Sequence, residues 1–185
     1  MSDSGIALFD TEIGVCAVAW RPEGLAGVQL PEASEGVALR RIHRRFPDLG
    51  WEPPPPWVEE AIDAIRSLLS GNPIDLGFVP LDFSGLGVFE ASVLRAARAI
   101  PPGGTTTYGE LAAQVGDRNA AQAVGQALGR NPWPIVVPCH RVTAAAGRTG
   151  GFSAHGGAAT KLRLLEIEGA LAAEKLPLFA EPGKA

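Results

Sequence analysis

The stretch TTTYGELAAQVGDRNAAQAVGQALGRN, in the second half of the chain, constrains the fold more than any other part of the sequence. Thr107 and Glu110 have the spacing of a capping box, which predicts a helix that continues to Val115. A glycine-containing turn follows, and Asn119 is placed to cap a second helix that ends at Gly129. Two short helices joined by such a turn form a helix-turn-helix, so the sequence predicts this motif.

The second helix of the pair is built almost entirely from small residues. Gln122 and Gln126 are its polar side chains, one turn apart, while Ala121, Val124 and Leu128 can pack inward. A helix-turn-helix normally reads the major groove through long polar or basic side chains, which this helix lacks. A slim helix suits the minor groove of B-DNA, about 6 Å wide, where contacts to phosphates dominate. A close contact between two helices is the alternative interpretation.

Two arginines flank this helix and are placed to contact phosphates. The chain has a net charge of −4, which by itself argues against a nucleic-acid partner. Residues 86–169, however, carry eight Lys and Arg against five Asp and Glu, so the acidic excess lies elsewhere. Ordinary surface variation also produces asymmetry of this size. The candidate DNA-contacting residues are Arg118, Ala121, Gln122, Gly125 and Arg130.

The N-terminal part has the pattern of strands followed by helices. Short apolar runs punctuated by glycine and proline in the first 30 residues predict a β-meander, with Cys16 as a buried, inert thiol on one strand. Ser34 is a candidate N-cap for a helix that Pro47 stops. The four prolines of WEPPPPW predict a connector that joins neither a helix nor a central strand.

The following elements complete the predicted organisation. A second amphipathic helix is predicted from Val58 to Leu69, and IDLGFVPLDF after it predicts a further strand. SGLG is typical of a hinge, and a helix predicted over residues 88–100 ends at PPGG. The predicted units are an α/β domain over residues 1–83, a helix-turn-helix domain over 84–170 and a tail over 171–185.

Composition places the chain among soluble globular proteins. Its 185 residues are 46% hydrophobic and 19% charged, which is enough to build a core. No apolar stretch approaches the roughly 20 residues that span a bilayer, and the N-terminus lacks the basic flank of a signal peptide. Cys16 and Cys139 match no disulfide or metal-ligand spacing. We therefore expect free thiols in the cytoplasm, no bound metal and no membrane contact.

The segment PIVVPCHRV places a cysteine beside a histidine at the end of an apolar run. The run predicts a buried strand, and Pro138 predicts a turn after it. The thiolate is the reactive form of cysteine, and histidine is the usual group that removes the thiol proton. On a straight strand Cys139 and His140 would point to opposite faces, so they need the turn, which Asn131 can hold, or a bridging water. Taken alone, the pair favours an inert buried thiol over a nucleophile.

PCHRV, preceded by GRNP and TTTYGELA and followed by GGFSAHGGAATKLRLLEIEG, resembles the active-site region of the O6-alkylguanine-DNA alkyltransferases, also called methylated-DNA–protein-cysteine methyltransferases. The resemblance covers roughly residues 84–170. It implies an α/β ribonuclease H-like N-terminal domain and a mainly α, winged helix-turn-helix-like C-terminal domain. It also implies a monomer that needs no cofactor and binds double-stranded DNA without sequence specificity through the minor groove.

The resemblance implies a chemical role for each matching residue. Cys139 takes the alkyl group from O6 of guanine, and from O4 of thymine, in an in-line displacement that leaves a stable thioether, so each molecule acts once. His140 acts through a water as the base, and Glu168 hydrogen-bonds the imidazole and stabilises its cationic form. Tyr108 protonates the departing guanine. Asn131 connects the second helix of the helix-turn-helix, the recognition helix, to the active-site turn.

The resemblance also implies a pocket for the base. The O6 atom lies inside the base stack, so the nucleotide must rotate into the protein before it can react. Backbone groups of Cys139 and Val142 would then recognise the base, and Phe152 and Ser153 would form the wall of its pocket.

Two features depart from the family pattern. Gln122 stands where most members carry an arginine that fills the gap left by the base, and the GGFSAHGG loop is longer than the common GGYSGG form, with Ala154 and His155 extra. Two other functions remain alternatives. One is a protein that binds alkylated guanine without transfer, and the other is a Cys-His hydrolase, which would need an oxyanion hole.

Overall fold

The computed structural model describes residues 3–145 and 150–170. The chain begins with the predicted antiparallel meander of β1 (Gly5–Thr11), β2 (Gly14–Arg21) and β3 (Gly24–Gln29), in that spatial order. Gly14 and Gly24 lie at the two turns with φ of 122° and 139°. Residues with a side chain rarely adopt these positive φ values, so glycine at the two positions permits the tight connections.

The central strand β2 is buried on both faces because a helix packs on each side of the sheet. On one face Ala17 and Ala19 pack against Ile42 of α1 (Glu35–Arg45). On the other face of β2, the side chains of Cys16, Val18 and Trp20 belong to the same buried cluster as the apolar side of α2 (Pro56–Leu69). Burial raises the pKa of Cys16 to about 11, which fits the inert thiol expected there.

The helix α2 begins earlier than the sequence predicted. Pro56 is its first residue, so the expectation that none of the four prolines joins a helix is wrong for this one. The first N–H groups of a helix have no intrahelical partner, so proline loses no hydrogen bond there and its φ suits the helix. At the start of α1, Ser34 takes the predicted N-cap position, but its side chain makes no capping hydrogen bond.

The segment IDLGFVPLDF does not form the predicted strand. In the described part of the chain it meets the sheet at one isolated bridge, between Leu25 and Leu81. Pro80 within the segment has no N–H to donate to a ladder, although its carbonyl accepts from the Leu25 N–H at 2.9 Å. The guanidinium of Arg98 satisfies further carbonyls of this segment in place of a neighbouring strand: Leu76, Gly77 and Val79.

The C-terminal part is mainly helical. Its helices are α3 (Val88–Arg98), α4 (Tyr108–Gln114), α5 (Ala121–Gly129) and α6 (Ala158–Ile167). A short parallel pair, β4 (Thr106–Thr107) with β5 (Val142–Thr143), lies between them. Within residues 3–145 and 150–170, no helix is long and apolar enough to cross a membrane.

The two helices predicted from the capping pattern are present, with one difference at the start of α5. Thr107 and Glu110 form the predicted capping box of α4: the Thr107 N–H donates to the Glu110 carboxylate at 2.7 Å. Ala120, and not Asn119, occupies the N-cap of α5. The carboxylate of Asp117 accepts from the Asn119 N–H at 2.9 Å, so this side chain organises the turn instead.

The PIVV run is a tight turn and not the predicted strand. Pro134 and Val137 form an isolated bridge around Ile135, whose φ is 76°. A positive φ is unfavourable for a β-branched residue, so contacts around the turn must hold it. Asn131 supplies two of them: its Oδ1 accepts from the Trp133 N–H at 3.0 Å, and its Nδ2 donates to the Val137 carbonyl at 2.8 Å.

The side chain of Trp133 joins the N-terminal sheet to the C-terminal helices. It is 1% exposed, and its Nε1 donates to the carbonyl of Leu25 at 2.6 Å. The Val28 N–H donates to the carbonyl of Pro132 at 2.9 Å, and the Phe83 ring centroid lies 4.9 Å from that of Trp133. One buried cluster therefore extends across both parts of the chain, and the position of the turn after α5 depends on the sheet.

We predict that Trp133→Phe lowers the free energy of unfolding by about 1–3 kcal/mol, because it removes the donor to Leu25 and leaves space in the core. Urea denaturation measures the change. Trp51→Phe is the matched control, since Trp51 is 51% exposed, and should change stability by less than about 0.5 kcal/mol. Equal effects of the two substitutions would show that Trp133 does not join the two parts.

Candidate active site

The thiol of Cys139 lies at the start of a single 3-10 turn, Cys139–Arg141. Pro138 precedes this turn, as the sequence predicted, and the thiol is buried with a residue exposure of 7%. Asn131 Nδ2 donates to Cys139 Sγ at 3.2 Å as well as to the Val137 carbonyl. The same amide that holds the preceding turn therefore also contacts the sulfur.

The environment of Cys139 favours the neutral thiol. Burial raises its pKa above the ordinary value, while the hydrogen bond from Asn131 and the positive charge of Lys161 act in the opposite direction without cancelling the effect. A thiol is a poor nucleophile, so reaction at this sulfur requires a group that accepts its proton.

His140 is fully buried and held by a carboxylate. Its Nε2 lies 2.9 Å from Glu168 Oε1, and burial lowers the pKa of the imidazole although Glu168 raises it. Because the carboxylate accepts, Nε2 carries the proton of the neutral ring, and Nδ1 is left with a lone pair. Within the described residues, Nδ1 has no hydrogen-bond partner. The imidazole can therefore accept a proton at Nδ1.

Glu168 is ionised because two side chains donate to it. Burial alone would raise its pKa, but hydrogen bonds from His140 and Arg141 outweigh burial and lower the pKa to about 2. Arg141 binds the carboxylate through two nitrogens, at 2.7 and 2.8 Å, and donates to the Ile100 carbonyl at 2.5 Å. The buried charges are thus paired, and the imidazole is fixed in one orientation.

Lys161 belongs to the same region and was not among the residues predicted from the sequence. Its side chain is fully buried, and its Nζ donates to the carbonyl of Val142 at 2.6 Å and to the Tyr108 hydroxyl at 3.4 Å. Burial lowers its pKa to about 8. One sequence pattern could have indicated that Lys161 faces the same side as Glu168. Helical i, i+3, i+4, i+7 spacing relates Lys161, Leu164, Leu165 and Glu168. The apolar face of α6 begins and ends with a charged residue that points to the site.

Tyr108 is the first residue of α4 and borders the same site. Its hydroxyl donates to the Gly151 carbonyl at 3.4 Å, and burial raises its pKa, as does the negative charge of a Cys139 thiolate. At neutral pH the hydroxyl is protonated and can donate. A side chain at Gly150 would come within 2.9 Å of the tyrosine ring, so that glycine, with φ of 70°, lets the loop approach it.

Two clefts meet at Cys139. The larger, which we name the α5 cleft, has a volume of 660 Å³. Its walls include Tyr108, Ala121, Gln122, Gly125, Phe152 and Ser153. The smaller, which we name the α1 cleft, has a volume of 370 Å³ and reaches the thiol from the side of α1. Phe152 and Ser153 line both clefts, so the loop that contains them borders the two spaces.

The remaining candidates from the sequence lie around these clefts or behind them. Arg118 is exposed in the turn before α5, and Arg130 follows α5, where it pairs with Glu90 at 3.3 Å. Val142 lines neither cleft; its N–H donates to the Cys139 carbonyl and its own carbonyl accepts from Lys161. In the described ranges no cluster of three potential metal ligands occurs.

We predict that Glu168→Gln lowers the free energy of unfolding at about pH 7 by about 3–5 kcal/mol, because it leaves the buried Arg141 charge unpaired. A carboxyl with a folded pKa of about 2, against 4.5, stabilises the protein above pH 4.5 and loses that contribution as pH falls toward 2. The difference in the free energy of unfolding between Glu168→Gln and the native protein should therefore shrink at low pH. Denaturation over this pH range checks it, with Glu166→Gln, exposed on the same helix, as control. A pH-independent difference would contradict the prediction.

Comparisons with known proteins show which family the chain resembles. Residues 88–170 match the family model of the 6-O-methylguanine DNA methyltransferase, DNA binding domain. A methylated-DNA–protein-cysteine methyltransferase of Mycolicibacterium paratuberculosis is 39% identical over 170 residues, which cover 92% of this chain and 95% of that relative. One of Methanothermobacter thermautotrophicus is 41% identical over 116 residues, or 63% of this chain and 64% of that relative.

A solved structure shows the same relationship over nearly the whole length. The crystal structure of Mycobacterium tuberculosis OGT in complex with DNA superposes with a TM-score of 0.71 and 35% identity, covering 90% of this chain and 93% of that one. Identity at this level over nearly the full length of both chains indicates common descent and a common fold. This chain therefore belongs to the methylated-DNA–protein-cysteine methyltransferase family.

Proposed function

We propose that this protein repairs double-stranded DNA by moving an alkyl group from O6 of guanine, and from O4 of thymine, to its own Cys139. The observation that carries the proposal is the position of the thiol where the α5 cleft ends, next in sequence to an imidazole that burial keeps neutral and that Glu168 orients with one free lone pair. A thiol that borders a cleft and a neighbouring imidazole that can accept a proton are the parts that nucleophilic displacement needs.

The mechanism follows from the protonation states. His140 Nδ1 takes the thiol proton through one bridging water, and Asn131 and Lys161 favour the thiolate that forms. The sulfur attacks the alkyl carbon, the bond from that carbon to O6 breaks, and the electron pair stays with guanine. The Tyr108 hydroxyl gives guanine a proton, and the Lys161 ammonium, 3.4 Å away, stabilises the phenolate. The thioether has no proton to lose and cannot be displaced by water, so each molecule reacts once.

The DNA is held on the side of α5. The small residues Ala121 and Gly125 line the cleft, which supports an approach of this helix to the minor groove while the base rotates out of the stack. Gln122 is exposed at this cleft and takes the space that the base leaves. Arg118 and Arg130, at the two ends of α5, contact phosphates without reading sequence.

The same family relationship supports the finer description of the fold. We assign residues 1–83 to a ribonuclease H-like domain and 84–170 to a winged helix-turn-helix-like domain, and we place the protein in solution as a monomer. A nucleophilic thiol must stay reduced, which supports a location in the reducing cytoplasm. The proposed tail, residues 171–185, lies outside the described residues.

Stoichiometric methylation of Cys139 is the first expected result. Incubation with a duplex that contains O6-methylguanine should place one methyl group on Cys139 per protein molecule, which peptide mass spectrometry measures. Cys139→Ser should abolish transfer, and Cys16→Ser, at a buried thiol far along the chain, should retain it. Lesion binding without methylation would instead indicate a binding protein, and repeated turnover of an acyl substrate would indicate a hydrolase.

Replacement of Gln122 by arginine should strengthen DNA binding and speed repair. A longer cationic side chain fills more of the space left by the base and adds about one phosphate contact, so the salt dependence of the affinity should steepen by about 0.9. Duplex affinity at several salt concentrations and single-turnover rates measure both effects. Gln114→Arg, exposed on α4, controls for charge alone. An unchanged or slower repair rate would show that Gln122 does not occupy this place.

A further inference from the structure

The α1 cleft has an unusual lining for a space that adjoins a nucleophile. Four of its lining residues are arginines, whereas one, Glu32, is acidic. The arginines are Arg41, Arg44 and Arg45 of α1 and Arg130 after α5. Its volume of 370 Å³ is within the range of sites that bind small molecules. The cleft is therefore large enough and sufficiently positive to hold an organic anion.

This charge is a local exception within its part of the chain. Residues 1–83 contain thirteen Asp and Glu but six Lys and Arg, and four of those six fall within residues 40–45. The arginine run therefore does not follow from the general composition of the N-terminal part. It lies on the helix that faces the active-site loop across the cleft.

The positive charges of the cleft are only partly compensated. Arg41 pairs with Glu32 at 2.8 Å, and Arg130 pairs with Glu90 at 3.3 Å. Arg45 donates to the Pro132 carbonyl at 3.3 Å and stacks on Phe46. Burial, and the charge of Arg41 beside it, lower the pKa of Arg45. Arg44 is exposed and forms no ion pair with any described residue.

On the proposed function, different parts of the substrate occupy the two clefts. The α5 cleft contains Tyr108 and the small face of α5, so the flipped base and its O6 occupy that side. The carbon that reacts must lie at the sulfur of Cys139, where the clefts meet. In-line attack places the sulfur and O6 on opposite sides of that carbon, so any further atoms project sideways from the line between sulfur and O6. The α1 cleft is the second space that opens beside the sulfur and can receive them. Ala154, one of the two extra residues of the loop, lines this second space and not the first.

We propose that the α1 cleft binds the distal end of the alkyl group, and that its arginines, with Arg44 foremost, favour O6 substituents that carry a carboxylate. This rests on the proposed function and specifies its substrate class: O6-carboxyalkyl and carboxyaryl-methyl guanines. The chemistry is unchanged, since the sulfur bonds to the methylene carbon, the bond to O6 breaks, and guanine keeps the electron pair and takes the Tyr108 proton. The carboxylate only binds, and it remains on the thioether product.

The test uses free nucleobases, which contain no phosphate. We compare the rates at which Cys139 is alkylated by O6-(4-carboxybenzyl)guanine and by its neutral amide, O6-(4-carbamoylbenzyl)guanine, which has the same size and shape. The carboxylate-to-amide rate ratio should fall by at least about tenfold in Arg44→Glu, by less in Arg44→Ala, and little in Arg44→Lys. Arg66→Ala is the control, because Arg66 lines a separate cleft that contains neither Cys139 nor α1, and it should leave the ratio unchanged.

Several outcomes would overturn the proposal. One is a ratio that is the same in all Arg44 variants. Another is that Arg44→Glu slows O6-methylguanine and O6-carboxymethylguanine equally when both are in duplex DNA and leaves the free bases unaffected, which would make Arg44 a contact to backbone phosphate. Failure of the native protein to transfer any methyl group from duplex DNA to Cys139 would instead reject the proposed function itself.

Discussion

The carboxylate of Glu168 is the group on which the rest of the site depends. It is buried just after α6 and accepts hydrogen bonds from both His140 and Arg141. Arg141 also donates to the Ile100 carbonyl just beyond α3, so one carboxylate links α6, the active-site turn and the end of α3. A buried arginine without this partner would cost several kcal/mol. The arrangement therefore stabilises the turn and also leaves the imidazole with its lone pair on Nδ1.

Burial sets the chemical state of the site before any substrate arrives. It raises the pKa of Cys139, lowers that of His140 and lowers that of Lys161 to about 8. Lys161 still stays mostly protonated at neutral pH, whereas Cys139 and His140 are neutral, because a charge in a dry site loses its hydration. The thiolate therefore forms as the proton moves during reaction and is not exposed beforehand to other electrophiles.

The N-terminal part contributes to the site as well as to stability. Trp133 and the backbone of Pro132 bond to β3, which fixes the turn that carries Cys139. From the same part, α1 supplies three arginines to the second cleft. The sulfur thus lies between the α5 cleft, which the C-terminal part builds, and the α1 cleft, which both parts build together. Differences in α1 between relatives would then alter which alkyl groups are accepted, while the transfer chemistry stays the same.

The sequence by itself determined the local features whose causes are local. The capping box predicted α4, the glycine-punctuated apolar runs predicted the meander, and PCHRV in its context identified the family. Local pattern failed where the deciding partner is distant. IDLGFVPLDF has the pattern of a strand, but the guanidinium of Arg98 donates hydrogen bonds to its carbonyls in place of a neighbouring strand. PIVV also has the pattern of a strand, but hydrogen bonds from Asn131 and the packing of Trp133 hold it as a turn. Only the tertiary structure brings Lys161 and Arg141 to the site and places the arginines of α1 across a cleft from Cys139. The physical reason is that burial and long-range contacts decide which charges meet, and the spacing of residues along the chain does not.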